Sequence, residues 1–142
     1  MPATERKTIS VEIHVEFPVE KVWEFWTQPE HITHWNFASD EWHCPYAEND
    51  IRPGGRFSWR MEARDGSAGF DFCGIYKQVI PHTKIAYTLD DGRKVDIDFS
   101  RHEQATRVTE TFEAEDVHAE EMQRSGWQSI LDNFKRYVES RT

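Results

Sequence analysis

The sequence predicts an α+β fold in which a strongly curved antiparallel sheet of about seven strands wraps a long C-terminal α-helix, with two short helices between the first and second strands. Three observations carry this. Apolar and polar residues alternate in one segment after another between Thr8 and Phe112, as in strands with one buried face. The favoured hairpin pairs Asp65-Gly66 and Asp91-Gly92 separate such segments. From about residue 118 the apolar period changes to that of a helix.

Each element has its own signal. In residues 8–16, Val11, Ile13 and Val15 oppose Glu12, His14 and Glu16, which reads as a half-buried strand. Pro18 suits a first helical turn, and Val19, Val22, Trp23 and Trp26 share one helix face. Pro29 opens a second brief helix to about His34, and Trp35 and a loop lead to a strand over 41–46. After Gly54-Gly55, residues 56–62 set Phe57, Trp59 and Met61 against Arg56, Ser58, Arg60 and Glu62. Residues 68–79 put Phe70, Phe72, Gly74 and Tyr76 on one face, and Pro81 stops the strand. Ile85, Tyr87 and Leu89 alternate next, followed by Val95, Ile97 and Phe99, then by Val108, Glu110 and Phe112. Glu110 is the one carboxylate on an otherwise apolar face. The final helix, residues 118–139, carries Met122, Trp127, Ile130, Leu131, Phe134 and Val138, with an acidic approach and a basic end that suit the helix dipole. Gly126 inside it predicts close packing or a local bend, since glycine costs a helix about 1 kcal/mol relative to alanine.

With 142 residues the chain suits one domain, 1–142. Its net charge of −9 repels phosphate backbones and anionic lipid, so no nucleic-acid partner is expected. No apolar run approaches the roughly 20 residues of a membrane helix, and the opening residues lack the apolar core of a secretory signal, so no membrane insertion and a cytoplasmic location are expected. Cys44 and Cys73 have neither CxxC spacing nor the density of a disulfide scaffold and read as reduced thiols.

Several local sequences in order resemble the SRPBCC superfamily, which has the START and Bet v 1 helix-grip fold, and within it the family similar to the activator of the Hsp 90 chaperone ATPase. They are FPVEKVWEFWTQPEHITHW at 17–35, RPGGRFSWRMEARDG at 52–66, GIYKQVIP at 74–81, TRVTETF at 106–112 and SGWQSILDNF at 125–134. The resemblance implies a cavity between sheet and long helix that relatives use for lipids, polyketides or other apolar molecules. Chaperone activation in the namesake uses an additional N-terminal domain, and the first strand here starts within ten residues of Met1, so a chaperone partner is not expected.

Parity and helical spacing nominate Trp26, Trp35, Phe57, Trp59, Met61, Phe72, Tyr76, Tyr87, Phe99, Trp127, Ile130 and Phe134 as cavity lining, with the Tyr76 and Tyr87 hydroxyls as polar anchors. The same rings could instead simply fill the interior. Catalysis is not expected, although Glu110 is a weak candidate for proton transfer in a cyclase- or hydrolase-type reaction. No cofactor is expected, since phosphate-loop, nucleotide and HExxH motifs are absent. No metal is expected either: His31 and His34 precede His43-Cys44, but adjacent strand residues point to opposite faces. Asp71, Asp96 and Asp98 read as solvated outer-face charge. A small apolar or aromatic molecule is thus the expected partner. The alternative is a homodimer or chaperone-associated module using exposed rings at Phe25, Trp35, Phe37 and Trp42.

Overall fold

The computed structural model describes residues 7–141, so the reading of the first six residues as lacking a signal core lies outside the described residues. The elements run β1 (Thr8–Val15), α1 (Val19–Thr27), α2 (Pro29–Trp35), β2 (Trp42–Asn49), β3 (Arg56–Ala63), β4 (Gly69–Ile80), β5 (Lys84–Leu89), β6 (Lys94–His102), β7 (Ala105–Glu113) and α3 (Glu120–Glu139). All strand pairs are antiparallel, in the order β1-β7-β6-β5-β4-β3-β2. The sheet is a meander from β2 to β7 with β1 added beside β7, and α1 and α2 carry the chain from one edge to the other. The curled sheet, the paired short helices and the packed terminal helix agree with the predicted fold.

Alternation works as expected where one face is buried. Ile9, Val11, Ile13 and Val15 point inward from β1, Val95, Ile97 and Phe99 from β6, and Val108, Glu110 and Phe112 from β7. The strand predicted over 41–46 runs instead to Asn49, because its register shifts between His43 and Tyr46. Pro45 sits in that shift; it has no N–H for the ladder, and pairing resumes beyond it.

α3 is tied to the free edge of β1. Arg124 donates to the Ser10 carbonyl (3.3 Å), Gln128 to that of Glu12 (3.1 Å) and Lys135 to that of His14, while the Glu16 N–H donates to the Glu139 carboxylate (3.1 Å). The edge backbone presents every second residue, so these partners span about 20 Å of strand. Residues 124 to 139 span about 22 Å of helix, which explains the match. The helix therefore runs parallel to β1 and covers an edge that would otherwise invite pairing with another chain.

The C-terminal half of α3 fills the interior. Leu131, Phe134 and Val138 are fully buried, and the Phe134 ring meets Trp35 at 4.8 Å and Trp26 at 4.9 Å. Trp35, the last residue of α2, donates its indole N–H to the Phe25 carbonyl, and its own carbonyl accepts from Asn133 of α3. The exposed aromatic surface expected around Phe25, Trp35, Phe37 and Trp42 is not there. Phe25 and Trp35 are 5% and 3% exposed and the other two are half-buried, because α2 folds its rings under α1 and α3.

Two substitutions check this packing by urea denaturation. Phe134→Ala is expected to lose about 3–5 kcal/mol through the lost burial and the void left behind. Gly74→Ala places a Cβ 2.5 Å from the Thr88 carbonyl oxygen and 2.8 Å from the Phe57 ring, so a loss of about 1–3 kcal/mol is expected.

Candidate functional site

The N-terminal half of α3 leaves the interior open. Between it and the sheet lies a cavity of about 770 Å³, within the range of small-molecule sites. The helix contributes Met122, Gln123, Gly126, Trp127 and Ile130, and the sheet contributes Trp42, Trp59, Met61, Phe70, Phe72, Tyr87, Leu89 and Glu110. Trp26, Trp35 and Asn36 form the end wall against the filled half. At the rim, Phe70 is 48% and Met122 61% exposed, so the cavity reaches the surface.

Of the residues nominated from sequence, Trp26, Trp35, Trp59, Met61, Phe72, Tyr87, Trp127 and Ile130 line this space. Phe57, Tyr76, Phe99 and Phe134 do not, and belong to the packed core. Their inward parity is right, but their neighbours close over them: Phe57 touches Trp59, Tyr76 and Tyr87, and Phe99 packs on Trp23 and Trp26. The Tyr76 hydroxyl, nominated as an anchor, donates to Asn49 at the end of β2. Sequence reasoning missed Asn36, Leu89, Phe70 and Gly126. Leu89 and Phe70 carried the inward parity that would have found them.

Close packing, one of the two expectations for Gly126, is absent: a Cβ there would meet nothing within 4 Å. Its missing side chain adds to the cavity volume.

Aromatic rings line the walls. Trp59 stacks on Phe72 (5.7 Å, 12°), Trp127 stacks on Phe112 (4.0 Å, 8°), and Phe72 and Trp127 meet edge to face at 6.0 Å. Two buried donors, Asn36 Nδ2 and Trp59 Nε1, have no hydrogen-bond partner among the described residues, but each is sealed by its neighbours. Glu110 and Tyr87 differ. They are 5% and 4% exposed, both line the cavity, and neither the carboxyl nor the hydroxyl bonds to another described residue, so their polar atoms open into it.

Glu110 lies in the middle of β7 opposite Val11 on β1 and Ile97 on β6. Burial among apolar neighbours disfavours its charged form and pushes its pKa up to about 8. Burial, followed by the charge on Glu110, drives the Tyr87 hydroxyl well above the usual tyrosine range.

His31, His34 and His43 lie outside the cavity. His31 shares a 2.8 Å hydrogen bond with the Tyr137 hydroxyl, His34 stacks on the Tyr137 ring, and His43 faces Glu62 at 3.7 Å. Cys44 is buried, which lifts its thiol to about 11, while Cys73 contacts Ser58; both are free thiols. Asp71 pairs with Arg60, and Asp96 and Asp98 share Lys84 on the outer face. No group of three metal-ligating side chains converges among the described residues, and none of their helices is long and apolar enough to cross a membrane.

The raised Glu110 carboxyl couples stability to pH. Between about pH 4.5 and 8 the folded chain holds a proton that the unfolded chain releases, so Glu110 lowers stability as pH rises through this window. Glu110→Gln is therefore expected to flatten the decline of urea stability from pH 5 to 8, with a gain over the wild type of a few kcal/mol at most at pH 8. An unchanged slope would show that Glu110 ionises freely.

Comparison with known proteins places these features in a family. The model of the Activator of Hsp90 ATPase homolog 1-like protein matches residues 16–139. The solution structure of the AHSA1-like protein from Aeromonas hydrophila is 48% identical with a TM-score of 0.89, covering 94% of this chain and 93% of that one. A solution structure from Cytophaga hutchinsonii is 47% identical with a TM-score of 0.82, covering 94% and 92%. A crystal structure from Chromobacterium violaceum, at 24% identity and a TM-score of 0.84 over 93% and 96% of the two chains, shares the fold. No curated protein matches. The chain belongs to the Activator of Hsp90 ATPase homolog 1-like family, within the SRPBCC and Bet v 1-like superfamily.

Proposed function

We propose that this protein binds a small apolar or aromatic molecule in the cavity between the sheet and the N-terminal half of α3. The observation that carries this is the contrast along one helix: Leu131, Phe134 and Val138 close the interior completely, whereas Gly126, Trp127 and Ile130 face about 770 Å³ of ring-lined space. A chain selected only for stability would fill such a space, since unfilled apolar volume is costly. Folds of this superfamily typically bind ligands in a cavity, which supports the same reading. The proposal includes a cytoplasmic location and no chaperone partner, and retention of the protein by immobilised Hsp90 would overturn the latter.

A second reading has its own support. A buried carboxyl raised to about 8, facing the same space as a tyrosine hydroxyl, has the composition of a proton-transfer pair, so a cyclase- or hydrolase-type reaction on the bound molecule is the alternative. Retention of full turnover by Glu110→Gln on any substrate found would remove it.

Binding is tested by titrating a polarity-sensitive naphthalene sulfonamide dye and following the tryptophans. Saturable enhancement is expected for the wild type. Gly126→Leu, which projects a side chain into open space, is expected to weaken the dye at least tenfold without loss of stability. Equal binding by the two proteins would place the dye elsewhere.

A further inference from the structure

Resting on the cavity being a binding site, we propose that Glu110 is the counter-ion for an organic cation, an amine or quaternary ammonium carried on an apolar or aromatic body.

The cross-strand neighbours of Glu110 are Val11 and Ile97. The helix across the cavity supplies Gly126, Trp127 and Ile130, and β5 supplies Tyr87 and Leu89. None of these is cationic. The charged groups that line the cavity otherwise, Asp71, Asp90, Asp91, Arg93, Glu115 and His118, are engaged among themselves or with outer-face arginines: Arg93 with Asp91 at 2.8 Å, His118 with Glu115 at 2.6 Å, Asp90 with Arg56 and Asp71 with Arg60. Glu110 thus opens into the cavity with no cation among the described residues to neutralise it.

Glutamine has the same shape as glutamate and would offer a hydrogen bond to a neutral ligand at every pH. A carboxyl adds one capacity, to release its proton and hold a positive charge. With its pKa about 8, ionisation at neutral pH costs only about a tenfold penalty, which a desolvated ion pair readily repays.

The walls suit the same occupant. Trp59, Phe72 and Trp127 line the space, and a cation held over an aromatic face is attracted, more strongly when desolvated. The net charge of −9 favours the approach of cations and opposes that of anions.

Below about pH 7, where the carboxyl is mostly protonated, binding releases close to one proton: the Glu110 O–H bond breaks, the proton passes to solvent, and the carboxylate pairs with the ligand cation. The probe is benzyltrimethylammonium, compared with its uncharged isostere neopentylbenzene, by calorimetry and tryptophan fluorescence on the intact protein. The cation is expected to bind saturably at pH 9 and to weaken about fiftyfold from pH 8 to pH 6 as the carboxyl takes back its proton, with proton release visible in buffers of different ionisation enthalpy. The isostere is expected to show no such slope. Glu110→Gln is expected to abolish the slope and weaken the cation at least tenfold at pH 9; should that variant fail to fold, the wild-type pH series and proton release decide alone. Because histidines in general titrate within this range, His118→Gln must leave the slope in place. Binding of the isostere without the cation, a flat pH profile, or loss of the slope in His118→Gln overturns the inference and leaves the cavity a binding site. Failure of the cation, the isostere and the dye together overturns both.

Discussion

The structure depends on the seam between α3 and the edge strand β1. Four polar side-chain contacts follow the two-residue repeat of the strand edge on one side and one helix face on the other. Each is exposed and individually modest, worth about 1 kcal/mol or less. Their value is geometric. They set the direction and height of the helix over the sheet, and hence which turns of its apolar stripe meet the sheet closely and which stand away from it.

That placement divides the interior into two regions of different chemistry. Toward the C-terminus of α3, aliphatic and aromatic side chains interlock with α1 and α2 at close-packed density. Toward its N-terminus, a glycine, a tryptophan lying flat on Phe112 and an isoleucine line the space without filling it. The filled region supplies the stability that lets the open region exist. It also holds the end wall, Trp26 and Trp35, through the Trp35 and Asn133 hydrogen bonds.

Glu110 is the electrostatic consequence. On any exposed strand its carboxyl would be unremarkable, but in mid-β7, opposite Val11 and Ile97 and beneath the helix, it loses water and gains no cation from the described residues. Such a group reduces stability as pH rises through neutrality. Tyr87 shares the same face and the same loss of water, so the two are the buried polar groups that the sheet adds to the cavity lining.

Period and parity in the sequence were enough for the elements, their order and the inward face of every strand but β2, because each depends on neighbours two, three or four residues away. The discordance of Glu110 was legible for the same reason. The end of β2 was not, since Pro45 breaks the alternation where the ladder shifts. Nor could local pattern separate Trp59, Phe72 and Tyr87, which face open space, from Phe57, Tyr76 and Phe99, which share their parity and are packed over. Parity chooses a face; whether a ring on that face meets another ring or a void depends on sheet curl and helix height, set by contacts between residues more than a hundred positions apart. The sequence by itself thus determined a sheet wrapped on a helix, with one carboxylate turned inward. Only the tertiary structure decided that the interior is half core and half cavity, because that division follows from the seam between β1 and α3.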